Sequence, residues 1–211
     1  MNRLALGLAV ICCLAVAPAQ AQQAALAPDA LARGVTDEVL ALLRADKEIQ
    51  SGNLRKVVDL VDKKVLPHFD FTRMTQLAAG RYWQQASPEE QKGLVKEFRT
   101  LLVQTYAATF AAYRDQNIEY RPLRAEPADT DVVVKSLIHQ SGGKPVTVDY
   151  KMRKTDAGWK VYDVVVGDLS LVQSYRGTFS TEVQKGGVEG LVKALAEKNR
   201  QLNAEPQAAR K

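Results

Sequence analysis

The hydrophobic periodicity of this chain of 211 residues changes twice, and these changes limit the folds open to it. Apolar residues recur at helical spacing as far as residue 113 and alternate with a period of two between residues 118 and 166. Helical spacing then returns and continues to residue 199. Helices followed by a run of strands predict an α+β fold, in which helices cover one face of an antiparallel sheet.

The alternating region divides into four predicted strands separated by turn-forming residues. They are 118–123, 132–139, 146–153 and 159–166. In the third strand Val146, Val148, Tyr150 and Met152 share one face, and polar residues occupy the other. One dry face and one wet face predict a sheet that is covered on one side only.

Helix-boundary residues mark the helices on either side of the strands. Ser87 begins the longest helix, because proline follows at the first helical position and Glu90 is placed to complete a capping box. This helix carries no charge between residues 101 and 113, which predicts burial on more than one side. Further helices are predicted at 29–49, 54–66, 71–79, 169–185 and 188–199. Gly186-Gly187 separates the last two.

The first residues have the features of a signal peptide. An apolar run follows Arg3, and Ala19-Gln20-Ala21 matches a cleavage motif, so cleavage is predicted after residue 21 and export to the periplasm is expected. The predicted organisation is a signal peptide at 1–21, one domain at 22–200 and a polar, disordered tail at 201–211.

The cysteines and the charge exclude several functions. Cys12 and Cys13 are the only cysteines and both lie in the predicted signal peptide, so the mature protein has no disulfide and no thiolate metal site. The formal net charge of +5 is modest, and basic and acidic residues are interspersed along the chain. We therefore expect no nucleic-acid partner.

Few residues could carry out acid–base or covalent chemistry. His68 lies at a helix end and His139 at a strand end, where capping and surface roles are common. Asp163 and Asp168 are interpreted as strand-end and helix-start residues rather than as a catalytic pair. The sequence contains no nucleophile elbow, phosphate-binding glycine loop or paired-histidine zinc motif. These observations predict a protein that is not an enzyme and has no metal or cofactor.

The remaining candidate feature is apolar surface. On the long helix, small residues such as Ala108 alternate with Tyr106 and Phe110, and the strands predicted to face them are rich in valine. In one interpretation, small residues on both the helix and the strands leave a gap between them that can hold an apolar ligand. In the other, alanine and valine simply allow the two layers to pack closely. Periodicity and composition leave both interpretations open.

Two blocks of the sequence resemble one known family. Residues 66–106, LPHFDFTRMTQLAAGRYWQQASPEEQKGLVKEFRTLLVQTY, and residues 159–195, WKVYDVVVGDLSLVQSYRGTFSTEVQKGGVEGLVKAL, are similar to the MlaC (toluene-tolerance) periplasmic phospholipid-binding proteins. The resemblance implies an NTF2-like fold, with a four-stranded curved antiparallel sheet and helices on one face enclosing an apolar pocket. It also implies that phospholipid is the cargo of the pocket.

The resemblance further implies a place in lipid transport. A soluble periplasmic carrier of this family would shuttle phospholipid between an outer-membrane lipoprotein complex and an inner-membrane ABC transporter with an MCE-domain subunit. Such transport maintains the lipid asymmetry of the outer membrane. Two alternatives stay open, namely a periplasmic chaperone or adaptor and a small enzyme that uses His68 or Asp163 on this fold.

The implied fold places apolar residues of the helices and the sheet around the pocket. The predicted lipid-binding residues are Met74, Leu77, Tyr82, Trp83, Phe98, Leu102, Tyr106, Phe110, Val134, Val148, Tyr150 and Met152. The cations predicted to contact the head group or a partner are Arg73, Arg81, Arg99 and Lys144. Lys144 lies in a strand connection, so we assign it to partner contact.

Overall fold

The computed structural model describes residues 26–112, 116–126, 128–139 and 143–204. The N-terminal half contains helices α1 (Pro28–Ala45), α2 (Lys47–Gln50), α3 (Leu54–Lys64), α4 (Phe71–Ala79) and α5 (Pro88–Ala112). The strands are β1 (Asn117–Tyr120), β2 (Asp131–His139), β3 (Val146–Thr155), β4 (Gly158–Val166) and β5 (Leu169–Ser170). Helices α6 (Leu171–Ser174) and α7 (Arg176–Ala204) follow. This order confirms the predicted α+β class. The predicted signal peptide lies outside the described residues.

The first predicted helix, 29–49, is in fact two helices. Asp46 has an extended backbone between α1 and α2, and its carboxylate accepts hydrogen bonds from the N–H groups of Glu48 at 2.8 Å and Ile49 at 3.2 Å. An aspartate in this position satisfies the free N–H groups of a first helical turn. The apolar spacing continues across the cap, so periodicity alone predicted a single helix.

Local capping interactions set the boundaries of α4 and α5. The Asp70 carboxylate accepts from the Arg73 N–H at 2.9 Å, and Gly80 ends α4 with a φ of +56°. At the start of α5, the Ser87 N–H donates to the Glu90 carboxylate at 2.8 Å, and the Glu90 N–H donates to the Ser87 hydroxyl at 3.3 Å. The predicted capping box is thus confirmed, with both hydrogen bonds formed.

The strands form one antiparallel sheet in the order β1-β2-β3-β4-β5. All four predicted strands are present, but the predicted count of four is wrong because β5 adds a fifth. With two residues, β5 is too short to show alternation and is recognisable only through its pairing with Val165 and Val166. β1 ends at Tyr120 instead of residue 123, since Pro122 has no N–H with which to extend the ladder.

The helix predicted at 169–185 begins later, at Leu171, and is divided at Tyr175 into α6 and the first part of α7. Ser170 caps α6 by accepting from the Gln173 N–H at 3.0 Å, and β5 occupies the position expected for the start of the helix. α7 is bent at Gly186 and Gly187, where the φ of +68° at Gly187 confirms the predicted break. The helix continues to Ala204, four residues into the predicted tail, and 205–211 lie outside the described part. None of the described helices has the length and apolarity required to cross a membrane.

Buried apolar side chains form three clusters. The helical cluster, between α4, α5 and α7, contains Met74, Ala78, Ala79, Ala86, Leu94, Phe98, Leu101, Leu102, Val172, Phe179, Val188, Leu191 and Leu195. The N-terminal cluster, between α1, α2 and α3, contains Val39, Leu40, Leu43, Ile49, Val57, Val61 and Val65. The sheet cluster contains Tyr120, Val132, Val134, Met152, Trp159 and Val161. The hydrophobic interior is therefore divided between layers.

Candidate functional site

One face of the sheet is apolar and points toward the helices, and we call it the inner face. Strand pairing puts Val134, Tyr150 and Val164 in one cross-strand row on this face. Directly paired residues of neighbouring strands project to the same side of a sheet, so the row forms a continuous surface. Leu31 and Ala32 of α1 pack against the same cluster from the N-terminal side.

Phe69 connects the layers. This partly buried side chain packs against all three clusters, and in the described part of the chain it is the one residue shared by the helical cluster and the sheet cluster. Its backbone lies beside β4, where the Asp70 N–H donates to the Val161 carbonyl at 2.8 Å. A closed core would form one continuous buried cluster. Here the layers meet through a side chain that keeps accessible surface, so this junction is the candidate position for a guest.

Two tyrosines near the layers combine accessible surface with a desolvated phenol. Tyr150 of the inner face and Tyr175 beside the helical cluster are only partly buried. Burial nevertheless raises the pKa of both phenols, and that of Tyr175 reaches about 12. Residues that line an apolar pocket are expected to combine these two properties. Both residues are therefore candidate wall residues.

The polar atoms of the inner face have partners within the protein. The Tyr120 hydroxyl lies 2.6 Å from the Thr36 hydroxyl and donates to the Ala32 carbonyl at 3.2 Å. The Ser136 hydroxyl donates to the Val148 carbonyl at 2.7 Å. Because these groups are already hydrogen-bonded, this face offers a guest mainly apolar contact.

The predicted lipid-binding residues fall into distinct environments. The buried ones are Met74, Phe98 and Leu102 of the helical cluster, Val134 and Met152 of the sheet cluster, and Val148 of the inner face. Those with accessible surface are Leu77, Trp83 and Tyr106 against the helical cluster and Tyr150 against the sheet cluster. Tyr82 instead lies at the surface, where its hydroxyl is 3.3 Å from that of Ser180. The side chain of Phe110 lies outside the described part.

Two open grooves occur elsewhere on the surface. One, of about 490 Å³, lies between α1 and α3 and is lined by Leu42, Ile49 and Leu60 among others. The second, of about 580 Å³, lies on the outer face of the sheet beside Val133 and Tyr162. Neither groove lies between the inner face and the helical cluster.

The four predicted cations do not form a single site. Arg99 forms an ion pair with Asp62 at 3.0 Å. The guanidinium of Arg81 donates to the hydroxyl of its neighbour Tyr82 at 3.1 Å. Arg73 is partly buried in α4, and Lys144 is exposed. Only Lys144 combines full exposure with a position in a strand connection.

The residues weighed as catalytic have structural partners. The buried Asp163 carboxylate accepts from Lys151, from the Ser170 hydroxyl and from the Val172 N–H, so it joins β3, β4 and the start of α6. His139 pairs with Glu119 at 3.0 Å. Partial burial and the charge of Lys160 lower the pKa of His68. The described residues contain no group of three or more His, Cys, Asp or Glu side chains able to hold a metal.

Sequence reasoning missed Phe69, which joins the layers, and two partly buried residues of the clusters, Tyr175 and Val164. Phe69 belongs to the dense aromatic stretch 68–91, and this density was the available signal. Tyr175 precedes Phe179 by one helical turn, and its ring packs edge-on against Phe98 with a centroid separation of 5.0 Å. Val164 shares a cross-strand row with the predicted residue Tyr150, but sequence alone cannot give the register.

Comparison with known proteins agrees with this fold. The toluene tolerance protein ttg2D of Pseudomonas putida is 25% identical over 165 residues, which are 78% of this chain and 76% of the relative. The intermembrane phospholipid transport system binding protein MlaC of Haemophilus influenzae is 21% identical over 168 residues, covering 78% of each chain.

One protein of known structure has a higher sequence identity to this chain. The phospholipid-binding protein from Ralstonia solanacearum, determined in complex with a phospholipid, is 44% identical, with a TM-score of 0.76. The superposition covers 83% of this chain and 98% of that chain. The sequence family described as MlaC protein matches residues 33–197, from α1 to the second half of α7. Since this match includes every strand and most of the helices, the chain belongs to the MlaC protein family.

Proposed function

We propose that this protein is a periplasmic phospholipid carrier. The observation that carries the proposal is the 44% identical Ralstonia solanacearum protein, whose structure contains a phospholipid and matches this fold over 98% of its length. The divided interior supports the same function, because an apolar guest requires space between layers that do not share a closed core.

The physical need for a carrier follows from the free energy of transfer. Two acyl chains of about 15 methylenes each, at roughly 0.8 kcal/mol per methylene, resist transfer to water by on the order of 24 kcal/mol. Spontaneous passage across an aqueous compartment is therefore negligible. The carrier must provide apolar surface of comparable quality while the head group stays in water, and this task requires no catalytic residue.

The lipid would lie between the inner face and the helical cluster, near Phe69. We assign the wall to partly buried residues of the two clusters, with Tyr106 and Tyr175 on the helical side and Tyr150 and Val164 on the sheet. Met74, Phe98, Val134 and Met152, which are at most 2% exposed, then form the packed core behind this wall. Fewer residues therefore contact the lipid than were predicted, because a lipid can cover only side chains that have accessible surface.

The same proposal includes the transport route. The protein would exchange phospholipid with an outer-membrane lipoprotein complex and with an inner-membrane ABC transporter that has an MCE-domain subunit, and so maintain the lipid asymmetry of the outer membrane. Support comes from the name of the Haemophilus influenzae relative, which is the binding protein of an intermembrane phospholipid transport system.

Native mass spectrometry and lipid extraction test the binding function. We expect the exported, processed protein to carry one phospholipid after purification without detergent. Lipid-free protein that takes up no lipid from phosphatidylethanolamine and phosphatidylglycerol vesicles would contradict the proposal. Binding of unfolded outer-membrane proteins by such lipid-free protein would favour a chaperone. Turnover of an apolar substrate that is lost in His68→Ala would favour an enzyme.

Lys144 is our proposed contact with the membrane complexes. Its exposed charge in the connection between β2 and β3 should influence the rate of association, and the effect should be largest at low salt. Lys144→Glu is expected to leave the copurified lipid unchanged and to slow lipid exchange with the complexes. Lys92→Glu is the control, since it makes the same charge change at an exposed position of α5. An empty pocket in Lys144→Glu with normal partner binding would place Lys144 in the lipid site instead.

A further inference from the structure

One cross-strand row crosses all five strands of the sheet on the inner face and ends at the β5 edge. Pairing places Tyr120, Ser136, Val148, Val166 and Leu169 side by side on β1 to β5. The first three are 8%, 1% and 7% exposed, whereas Val166 is 37% and Leu169 is 59% exposed. The row thus leads without interruption from covered surface to two aliphatic side chains in contact with solvent.

The exposed end of the row is held in a defined position. Gly167 and Asp168 form the turn between β4 and β5, and the φ of +61° at Gly167 suits the glycine found there. The Gly167 N–H also donates to the Thr147 carbonyl of β3 at 2.9 Å. Val166 and Leu169 are therefore a fixed pair at the edge, rather than side chains on a loose loop.

Isolated exposed aliphatic residues are common on protein surfaces, so exposure alone does not indicate a function. Val133 shows this, because it is 39% exposed but lies on the opposite face and pairs with Lys151. Val166 and Leu169 differ in being adjacent to each other and continuous with the apolar inner face. Continuity of this kind is expected where an apolar ligand enters or leaves.

We propose that Val166 and Leu169 form an apolar threshold over which acyl chains pass between the interior and the outside. The inference rests on the proposed carrier function and deepens it. A chain that leaves the inner face beyond Val148 can stay in contact with the aliphatic side chains of Val166 and Leu169 until it meets its destination. The threshold therefore speeds entry and exit and contributes little to the amount of lipid held at equilibrium.

Transfer of pyrene-labelled phosphatidylcholine between phosphatidylcholine vesicles tests the threshold. The variant Val166→Thr/Leu169→Gln keeps side-chain size and removes apolar character. The control Val133→Thr/Leu42→Gln makes the same chemical changes at two other exposed positions. We expect the threshold variant to transfer lipid about tenfold more slowly, with wild-type lipid stoichiometry, melting temperature and vesicle co-sedimentation. The control is expected to transfer at the wild-type rate.

Several outcomes would overturn the inference, and they are distinguishable. A wild-type transfer rate in the threshold variant, or an equal loss in the control, refutes the threshold while the carrier function stands. A parallel loss of vesicle co-sedimentation identifies the pair as a membrane anchor instead. A wild-type protein that neither holds nor transfers lipid refutes both proposals at once. If the double variant unfolds, the lipid-transfer rate of the single variant Val166→Thr is compared with that of Val133→Thr, and a rate equal to the control refutes the threshold.

Discussion

Replacement of Asp163 should weaken folding without affecting lipid binding by the folded protein. Its side chain is 3% exposed and accepts from the Lys151 ammonium at 3.1 Å, the Ser170 hydroxyl at 2.7 Å and the Val172 N–H at 3.3 Å. The carboxylate thereby ties β3 and β4 to the start of α6, where the chain leaves the sheet for the last helices. It lies in the structural frame behind the proposed lipid site.

The expected loss follows from the three donors. Val172 has no exposed surface, so in Asp163→Ala its N–H stays unpaired at a cost of about 1–3 kcal/mol. Removal of one partner of a buried pair costs about 3–5 kcal/mol, but the Lys151 side chain is 36% exposed and water can partly solvate it. We therefore expect about 3 kcal/mol for Asp163→Ala and about 1–2 kcal/mol for Asp163→Asn, which retains an acceptor oxygen.

Thermal unfolding followed by circular dichroism measures this loss, and lipid extraction gives the ratio of lipid to folded protein. A loss of about 3 kcal/mol corresponds to a melting temperature lower by roughly 6–12 °C for a domain of this size. Lys151→Ala is the companion variant and should also destabilise, by about 2–3 kcal/mol, because it leaves the buried Asp163 carboxylate without its cation while the hydrogen bonds from Ser170 and Val172 remain. An unchanged melting temperature in Asp163→Ala would refute the structural assignment. A stable Asp163→Asn protein that loses a catalytic activity would support the enzyme alternative.

Three further predictions concern the helix break, the Tyr82 phenol and the space between the helices and the sheet. Gly187→Ala should lower the free energy of urea unfolding by about 1–3 kcal/mol, because the φ of +68° at this position suits glycine alone. The control Gly177→Ala, in the straight part of α7, should raise it by about 0.5–1 kcal/mol. Equal effects of the two substitutions would contradict this account. Hydrogen bonds from Ser180 and Arg81 lower the pKa of Tyr82 from 10.0 to about 8. The Tyr82 tyrosinate therefore stabilises the folded protein fully above pH 10, and this stabilisation is lost as the pH falls through 8. A titration followed by tyrosinate absorbance should show one ionisation near pH 8 that is missing in Tyr82→Phe. Val148→Trp and Ala108→Trp should lower lipid occupancy at a packing cost of about 1–3 kcal/mol, and full occupancy in folded variants would place the lipid elsewhere.

Local interactions explain why much of the secondary structure could be predicted. The capping box of Ser87 and Glu90 forms within one turn, and the break at Gly187 depends on the backbone freedom of that residue. Alternation along β3 likewise reports which side chains share a face. Such features depend on neighbours in the sequence, so they can be recognised before the fold is known. The split at Asp46 was missed because the cap interrupts the helix without interrupting the apolar pattern.

The site, by contrast, depends on contacts between distant segments. Composition left open whether the helices and the sheet pack closely, and only the tertiary structure shows that Phe69 alone, in the described part, joins the helical and sheet clusters. The exposure of Leu169 could not be predicted either, because β5 exists only through its pairing with β4. Sequence by itself determined most of the helices, the four longer strands and the apolar character of their faces. Which apolar side chains are covered was decided by the tertiary structure, since burial depends on the segments that folding brings together.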